Sequence, residues 1–163
     1  DGPLSIGHGQ TISQPYMVAL MTESLDLKPA DKVLEIGFGC GYQTAILSKL
    51  AERVCAVERV GALFDKGKAN LVRLGIKNVT LKFSDGSLGW PEEAPFDAIL
   101  VAAYGKSVPE ALRDELAPGG RLVMPVGEAD LQQLVLYSKG VQGRVSSRVL
   151  VNCRFVPLMS GSK

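Results

Sequence analysis

A short apolar strand that runs into a glycine turn and then a helix is the feature that most constrains this chain. The strand Lys32–Ile36 precedes the turn Gly37-Phe38-Gly39-Cys40-Gly41, and a helical pattern follows over residues 43–51. Glycines in such a turn let the backbone approach a ligand closely and take positive φ angles without a Cβ penalty. The unit is typical of α/β folds that bind a nucleotide at the turn.

The rest of the chain repeats this alternation of strands and helices. We predict strands over residues 32–36, 53–57, 79–83, 96–102 and 121–126, and helices over residues 15–26, 43–51, 60–74 and 107–116, the last ending at Pro118-Gly119-Gly120. Such alternation predicts β-α-β units and a mostly parallel sheet. Two further strands, 132–137 and 147–155, have no helix between them, so we expect a terminal antiparallel hairpin on one edge of the sheet.

Composition excludes several other classes of protein. The 163 residues make one domain's length, with 46% hydrophobic residues, 21% charged residues and a net charge of +1. This charge favours neither nucleic acid nor an anionic membrane, and no apolar run approaches the roughly 20 residues that span a bilayer. Three scattered cysteines and a single histidine argue against a disulfide framework and a metal site, and they favour a cytoplasmic location.

The spacing of the glycines indicates which ligand the turn binds. A dinucleotide fingerprint is G-x-G-x-x-G, whereas this turn is G-x-G-x-G and Tyr42 stands where the third glycine would be. There is also no G-K-[ST] that would mark a phosphate-binding P-loop. A ligand with a ribose but no phosphates fits better, and S-adenosylmethionine is such a ligand. We therefore predict that Gly37, Gly39 and Gly41 bind this cofactor.

Acidic residues at the ends of the predicted strands are the other candidate cofactor ligands. Glu58 lies near the offset of about 20 residues at which a carboxylate meets ribose hydroxyls, although a solvated strand-end carboxylate is the alternative. Asp85 with Gly86 would accept from the adenine amino group, or the pair simply forms a turn. Glu35 either orients the glycine turn or meets the amino group of the ligand. All of these side chains are expected at one edge of the sheet.

Motifs along the whole chain resemble those of the protein-L-isoaspartate (D-aspartate) O-methyltransferase family. The most specific of them stand at the two ends of the chain, and the glycine turn is shared with many methyltransferases. They are Gly7-His8-Gly9-Gln10-Thr11-Ile12-Ser13-Gln14-Pro15-Tyr16, Val33-Leu34-Glu35-Ile36-Gly37, Gly41-Tyr42-Gln43-Thr44, Ala94-Pro95-Phe96-Asp97-Ala98-Ile99, Pro125-Val126-Gly127 and Arg154-Phe155-Val156-Pro157-Leu158.

The resemblance implies a Rossmann-like class I methyltransferase fold, α/β, with a seven-stranded sheet. It implies transfer of a methyl group from S-adenosylmethionine to the free carboxylate of isoaspartyl residues in damaged proteins, a repair reaction. The expected partners are isoaspartyl proteins and peptides, with no nucleic acid, no membrane, no metal and a monomeric enzyme. The family carries a helical segment ahead of its Gly-His-Gly motif, so we expect a single domain over residues 1–163 that lacks this segment.

The resemblance also assigns roles to individual residues. Ser13 would lie beside the reacting centre, although its spacing alone favours a helix N-cap beside Pro15. The residues after it, Gln14, Pro15 and Tyr16, would close over the cofactor. The substrate groove would be bordered by Pro125, Val126 and Gly127 and by Arg154 and Val156, with a surface ion pair as the alternative for Arg154. One departure from the family is Tyr104-Gly105, which replaces a proline-rich start of that loop.

The predicted chemistry is in-line methyl transfer from a sulfonium to a carboxylate oxygen. An isoaspartyl carboxylate has a pKa far below 7, so it is already an anionic nucleophile and needs no general base. We expect Ser13 to hydrogen-bond this carboxylate and aim one oxygen. Two alternatives remain: a methyltransferase of the same fold that acts on a small molecule or nucleic acid, and a truncated, non-catalytic domain that binds the cofactor.

Overall fold

A single seven-stranded sheet organises the part of the chain that the structure, a computed structural model, describes, namely residues 4–7 and 9–159. A small separate hairpin precedes it, formed by β1 (Leu4–Gly7) and β2 (Gln10–Ile12). The helices are α1 (Pro15–Ser24), α2 (Tyr42–Leu47), α3 (Gly61–Arg73) and α4 (Glu110–Asp114). The sheet strands are β3 (Lys32–Ile36), β4 (Arg53–Glu58), β5 (Val79–Phe83), β6 (Phe96–Val101), β7 (Leu116–Glu128), β8 (Leu131–Lys139) and β9 (Val145–Cys153).

The order of the strands confirms the predicted topology. The sheet has the order β5-β4-β3-β6-β7-β8-β9, in which the first five strands are parallel and β8 and β9 add antiparallel strands at one edge. β3 pairs with β4 on one side and with β6, much later in sequence, on the other. Ligands of such sheets bind where the strand order reverses, beyond the carboxyl ends of the strands. The topology therefore places a binding crevice at the ends of β3, β4 and β6.

The segment before β7 differs from the prediction. Helix α4 has five residues and ends before Glu115, and β7 begins at Leu116 and continues through Pro118-Gly119-Gly120. The backbone N–H of Phe96 donates to the carbonyl of Glu115 at 2.9 Å, which draws the chain into the sheet early. The pairing of β6 with β7 is then irregular over residues 117–120. Proline cannot donate to a ladder, so here the Pro-Gly-Gly run forms a bulge in the strand instead of ending a helix.

Both faces of the sheet are covered, as expected for parallel strands. On one face, Met17 and Met21 of α1 and Leu47 of α2 pack with alternate residues of the central strands. On the other face, Trp90 and Leu112 pack against the residues in between. Because side chains alternate across a strand, Glu35 points to the same face as Val33, the face of α1 and α2. Within the described residues, no helix is long and apolar enough to cross a membrane.

Arg121 ties the end of α1 to the sheet. Its guanidinium donates to the carbonyls of Leu25 (2.6 Å), Asp26 (3.0 Å) and Asp97 (3.2 Å) and to the carboxylate of Asp31 (2.7 Å). The Arg121 and Asp31 side chains are only 19% and 11% exposed. This network fixes α1 at its far end, and the opposite end of α1 begins at the crevice.

We predict that Arg121→Ala lowers the free energy of unfolding by about 3 kcal/mol, because it removes the guanidinium that pairs with a largely buried carboxylate and donates to three carbonyls. Urea denaturation measures this change. Lys28→Ala, which removes a solvent-exposed ion pair with Asp26, should leave the unfolding midpoint unchanged. Equal midpoints for the Arg121→Ala variant and the wild type would contradict a stabilising role of the Arg121 hydrogen bonds.

Candidate functional site

A cavity of about 460 Å³ lies at the carboxyl ends of β3, β4 and β6. This volume is within the range of small-molecule sites, about 300–1,000 Å³. Its walls come from residues spread along the chain: the start of α1 with Ser13, the end of β3 with the glycine turn, the start of α2, the end of β4, Leu63 of α3, Gly86, the end of β6, and residues 152–159 after the hairpin. The crevice predicted from the strand order is therefore present.

The glycine turn has the backbone that its sequence predicts. Gly37, Gly39 and Gly41 have φ angles of +84°, +53° and +85°. Gly37 and Gly39 lie on the cavity wall, whereas Gly41 begins α2 behind it. A fourth glycine supports the turn, because a Cβ on Gly67 of α3 would lie 2.5 Å from the carbonyl oxygen of Gly39 and 2.6 Å from the ring of Phe38. The turn packs directly on α3 only because position 67 has no side chain.

Glu58 fastens the turn to the end of β4. One carboxylate oxygen accepts from the backbone N–H of Gly39 at 3.0 Å, and the other accepts from those of Arg59 and Val60, both at 2.8 Å. The side chain is buried yet borders the cavity. A carboxylate has about four acceptor positions, so capacity remains for a ligand hydroxyl. The interpretation of Glu58 as a solvated carboxylate is wrong, because this side chain is buried.

Glu35 is a fully buried carboxyl on the same wall, and neither of its oxygens has a hydrogen-bond partner. Burial raises its pKa to about 8, with a smaller contribution from the charge of Glu58 and partial opposition from Thr44. The Thr44 hydroxyl is near enough to act on this carboxyl but is not in hydrogen-bonding geometry with it. An unpartnered acid in a cavity is suited to a ligand that brings a positive charge or N–H donors.

Ser13 and Gln14 line the cavity. The N-cap of α1 is Gln14, and no side chain caps this helix, so Ser13 does not have the capping role that its spacing alone favours. Pro15 and Tyr16 occupy the exposed first turn of α1 and are not part of the cavity wall, and their closure over the cofactor stays a prediction. His8 lies outside the described residues.

Asp85 and Gly86 have different positions. One Asp85 oxygen accepts from the backbone N–H of Ser87 at 2.8 Å and from its hydroxyl at 2.6 Å, which is the turn-forming alternative. Asp85 is not on the cavity wall, so its contact with an adenine stays a prediction. Gly86 is on the wall, and a Cβ there would overlap the side chain of Ile36. The chain can pass this close to β3 only with glycine at that position.

The predicted substrate residues form two groups, which the loop after β6 joins. Arg154 and Val156 line the cavity, and Pro125–Gly127 do not. The backbone N–H of Gly105 donates to the Pro125 carbonyl at 3.2 Å, and the Gly127 N–H donates to the Gly105 carbonyl at 3.0 Å. The neighbouring Tyr104 N–H donates to the Val156 carbonyl at 2.8 Å. Pro125–Gly127 therefore support the wall from behind.

Most of the apolar wall was not predicted from the sequence. These residues fall on α1 and on the end of β6: Met17, Val18, Met21, Leu100, Ala102 and Ala103. The strand order gives the signal that could have found the second group, because β6 is the neighbour of β3 where the order reverses. Within the described residues, no group of His, Cys, Asp and Glu side chains could hold a metal ion, and the three cysteines are free.

A parallel sheet of this order, with a G-x-G-x-G turn facing an acid at the end of the next strand, defines the class of the protein as an S-adenosylmethionine-dependent methyltransferase of the Rossmann-like class I fold. The particular family follows from comparison with known proteins. A family model described as Protein-L-isoaspartate(D-aspartate) O-methyltransferase (PCMT) matches residues 1–163. The chain belongs to this family.

Curated relatives support this assignment. The protein-L-isoaspartate O-methyltransferase of Trichlorobacter lovleyi is 54% identical over 159 residues, which are 98% of this chain and 73% of the relative. That of Geobacter metallireducens is 55% identical over 159 residues, 98% of this chain and 74% of the relative. The chain thus spans about three quarters of the length of these two relatives.

Solved structures agree with the fold. One named protein-L-isoaspartate O-methyltransferase superposes with a TM-score of 0.86 at 31% identity, covering 96% of this chain and 51% of that chain. A Plasmodium falciparum beta-aspartate methyltransferase (PCMT), in complex with S-adenosyl-L-homocysteine, gives a TM-score of 0.84 at 31% identity, covering 99% of this chain and 81% of that chain.

We predict that Glu35→Gln changes the pH dependence of stability in the cofactor-free protein. The folded-state pKa of Glu35, about 8, lies above its ordinary value of 4.5. Between these values the folded chain retains a proton that the unfolded chain releases, so this group makes the wild type less stable as the pH rises towards 8. Glutamine stays neutral. The variant should therefore match the wild type near pH 4.5 and be increasingly more stable than it up to pH 8.

Urea denaturation at pH 5, 6, 7 and 8 measures this difference. The matched control is Glu23→Gln, which removes a carboxyl of the same kind on the exposed side of α1, away from the cavity. A constant difference for Glu35→Gln across the series would show that this carboxyl titrates normally in the folded protein.

Proposed function

We propose that this chain is a protein repair enzyme that methylates the free carboxylate of isoaspartyl residues, with S-adenosylmethionine as the methyl donor. One observation supports it above the others: a single cavity is bounded by the glycine turn with its two acids, by Ser13, and by the 152–159 segment. A cofactor site and a candidate peptide site thus share one chamber. Membership of the isoaspartate methyltransferase family supports the choice of substrate.

The residues of the cavity fit this cofactor. The positive-φ glycines allow a ligand to lie against bare backbone, and Glu58 borders the cavity with acceptor capacity for ribose hydroxyls. Glu35, unpartnered and buried, is suited to the cofactor's ammonium group. When bound, S-adenosylmethionine supplies a methyl group on a sulfonium sulfur. The chain's own task is to hold this donor and to position the acceptor.

Ser13 is the residue that we assign to positioning of the acceptor carboxylate. It lies on the cavity wall and does not cap α1, so its hydroxyl is available to donate to a substrate oxygen. The substrate carboxylate is ionised at neutral pH, so no proton has to be removed before transfer. Alignment of the two reactants supplies the rate enhancement, and charge-assisted hydrogen bonds give this alignment its direction.

Methylation makes the isoaspartyl carboxyl a better electrophile. The resulting ester loses methanol as the next backbone nitrogen attacks it, which closes a succinimide ring. Hydrolysis of this ring returns part of the product as ordinary aspartate. The enzyme itself releases the methyl ester and S-adenosylhomocysteine, and the later steps proceed without it.

The partners and location follow the same proposal. We expect isoaspartyl proteins and peptides as substrates of a monomeric enzyme formed by one domain. We place it in the cytoplasm, because Cys40, Cys55 and Cys153 are all free thiols and such thiols persist in a reducing compartment.

A pair of peptides that differ only in the linkage at one aspartyl residue tests the proposed reaction. We expect methyl transfer to the isoaspartyl peptide and none above background to the aspartyl peptide, measured with labelled S-adenosylmethionine. Equal labelling of both peptides would favour a methyltransferase with another substrate. Cofactor binding by calorimetry without labelling of either would favour a non-catalytic domain.

Two substitutions should separate catalysis from cofactor binding. Ser13→Ala should lower turnover about 10- to 100-fold, as for one lost hydrogen bond to a charged group, with cofactor affinity near that of the wild type. Glu58→Ala should weaken cofactor binding by roughly 1.5–3 kcal/mol, because it removes ribose acceptors and releases the glycine turn. Steady-state kinetics and calorimetry measure the two effects. A large loss of cofactor affinity in Ser13→Ala would refute its assignment.

A further inference from the structure

We propose that Gln132 is a positioning residue for the peptide substrate. This inference rests on the proposed function. The side chain of Gln132 lies outside the cavity wall and is 1% exposed. It acts through the segment after β9, residues 154–159, which it holds in place as one wall of the cavity.

The contact is a two-sided amide pair with the backbone of Phe155. The Phe155 N–H donates to Gln132 Oε1 at 2.7 Å, and Gln132 Nε2 donates to the Phe155 carbonyl at 3.4 Å. The same Nε2 donates to the carbonyl of Ala129 at 3.2 Å. Both ends of the amide are thus used, and the pair copies the hydrogen bonds that a neighbouring strand would make.

The amide pair between Gln132 and Phe155 lies just beyond the end of the β8–β9 pairing. The last registered residues of β8 and β9 at this end are Gln132 and Cys153, after which the chain leaves the sheet and borders the cavity with Arg154 and Val156. Leu131, the first residue of β8, pairs with Glu128 of β7 and has no registered partner on the segment after Cys153. The Gln132 side chain extends the ladder by one step, so it determines where the segment leaves the sheet.

A second attachment holds the other end of the segment. The N–H of Tyr104 donates to the carbonyl of Val156 at 2.8 Å, and the Leu158 N–H donates to the Tyr104 carbonyl at 2.7 Å. Gln132 is also the strand partner of Gly127 in β7, where a Cβ on Gly127 would overlap the Leu131 carbonyl and lie 3.0 Å from Gln132 Cα. Hydrogen bonds therefore hold the segment at Phe155 and on both sides of Pro157, at Val156 and Leu158.

The effect should fall on the peptide more than on the cofactor. The glycine turn and Glu58 are held by contacts with β4 and α3 that do not involve Gln132. Loss of the amide pair would release Arg154 and Phe155, with Val156 still held by Tyr104, and leave the glycine turn unchanged. A positioning role for the substrate thus predicts a higher KM for peptide, with cofactor affinity retained.

The test compares Gln132→Met with Gln133→Met. Gln133 is the next residue of the same strand, is exposed and makes one long contact, at 3.5 Å, to Asn152. We expect Gln132→Met to raise the KM for an isoaspartyl peptide about tenfold, as for loss of two neutral hydrogen bonds, with kcat and the cofactor Kd within about twofold of wild type. Gln133→Met should change none of these. A parallel loss of cofactor affinity, or an unchanged KM, would overturn the proposal.

A conservative variant, Gln132→Glu, should show a pH-dependent KM that a general loss of stability would not produce. In Gln132→Glu, a carboxylate keeps the acceptor for the Phe155 N–H but faces two carbonyls without a donor. Protonation restores an O–H donor, so its KM should approach that of wild type as the pH falls. The KM of Gln132→Met relative to wild type should not change with pH. A pH-independent defect in Gln132→Glu would contradict the amide pair as the cause.

Amide hydrogen exchange at Phe155 separates this inference from the proposed function. If the wild type labels no isoaspartyl peptide, the proposed function fails, and with it the assignment of Gln132 to substrate positioning. The hydrogen-bonded pair of Gln132 and Phe155 would still be tested by the exchange rate of the Phe155 N–H. We expect the Phe155 N–H to exchange at least tenfold faster in Gln132→Met than in wild type or Gln133→Met. Equal rates would show that Gln132 does not hold this segment.

Discussion

The three backbone hydrogen bonds accepted by Glu58 are the interaction on which the site depends. The bond from Gly39 joins the end of β4 to the glycine turn that follows β3, and the bonds from Arg59 and Val60 hold the carboxylate in place. Together they fix the two strand ends between which a nucleoside can lie. An acid in this place has two functions, because the carboxylate that would bind a ribose also organises the backbone that would receive the rest of the ligand. Gly67 completes the arrangement by letting the turn rest on α3.

The second acid has the opposite character. Glu58 accepts three hydrogen bonds from the protein, whereas Glu35 has no hydrogen-bond partner and a pKa raised to about 8 by burial. Of the two buried carboxyls beside the cavity, Glu58 shapes the wall and keeps one acceptor position for a ligand, and Glu35 keeps all of its hydrogen-bonding capacity for one. Such an unsatisfied group costs stability in the free protein and needs an explanation, which a ligand in this cavity would supply.

The fold and the cofactor half of the site were predictable from local patterns. Strand alternation, the G-x-G-x-G turn and the offset to Glu58 are short-range signals, and the parallel sheet with its antiparallel edge is confirmed. The remaining features depend on contacts between residues that are far apart in the sequence. Pro118-Gly119-Gly120 became a bulge inside β7 because Glu115 pairs with Phe96. The apolar wall from α1 and β6, and the buried amide of Gln132, depend on neighbours distant in sequence, which no local pattern reveals.

The wall formed by residues 152–159 has a consequence for biosynthesis. Ser13, the glycine turn and Glu58 leave the ribosome early, but this wall follows the β8–β9 hairpin and needs its pairing to be complete. A growing chain therefore has its nucleotide-binding half before it has an enclosed chamber. Ligand binding stabilises only a conformation that can hold the ligand, so cofactor can assist the nascent chain fully only after nearly all of the domain has been synthesised.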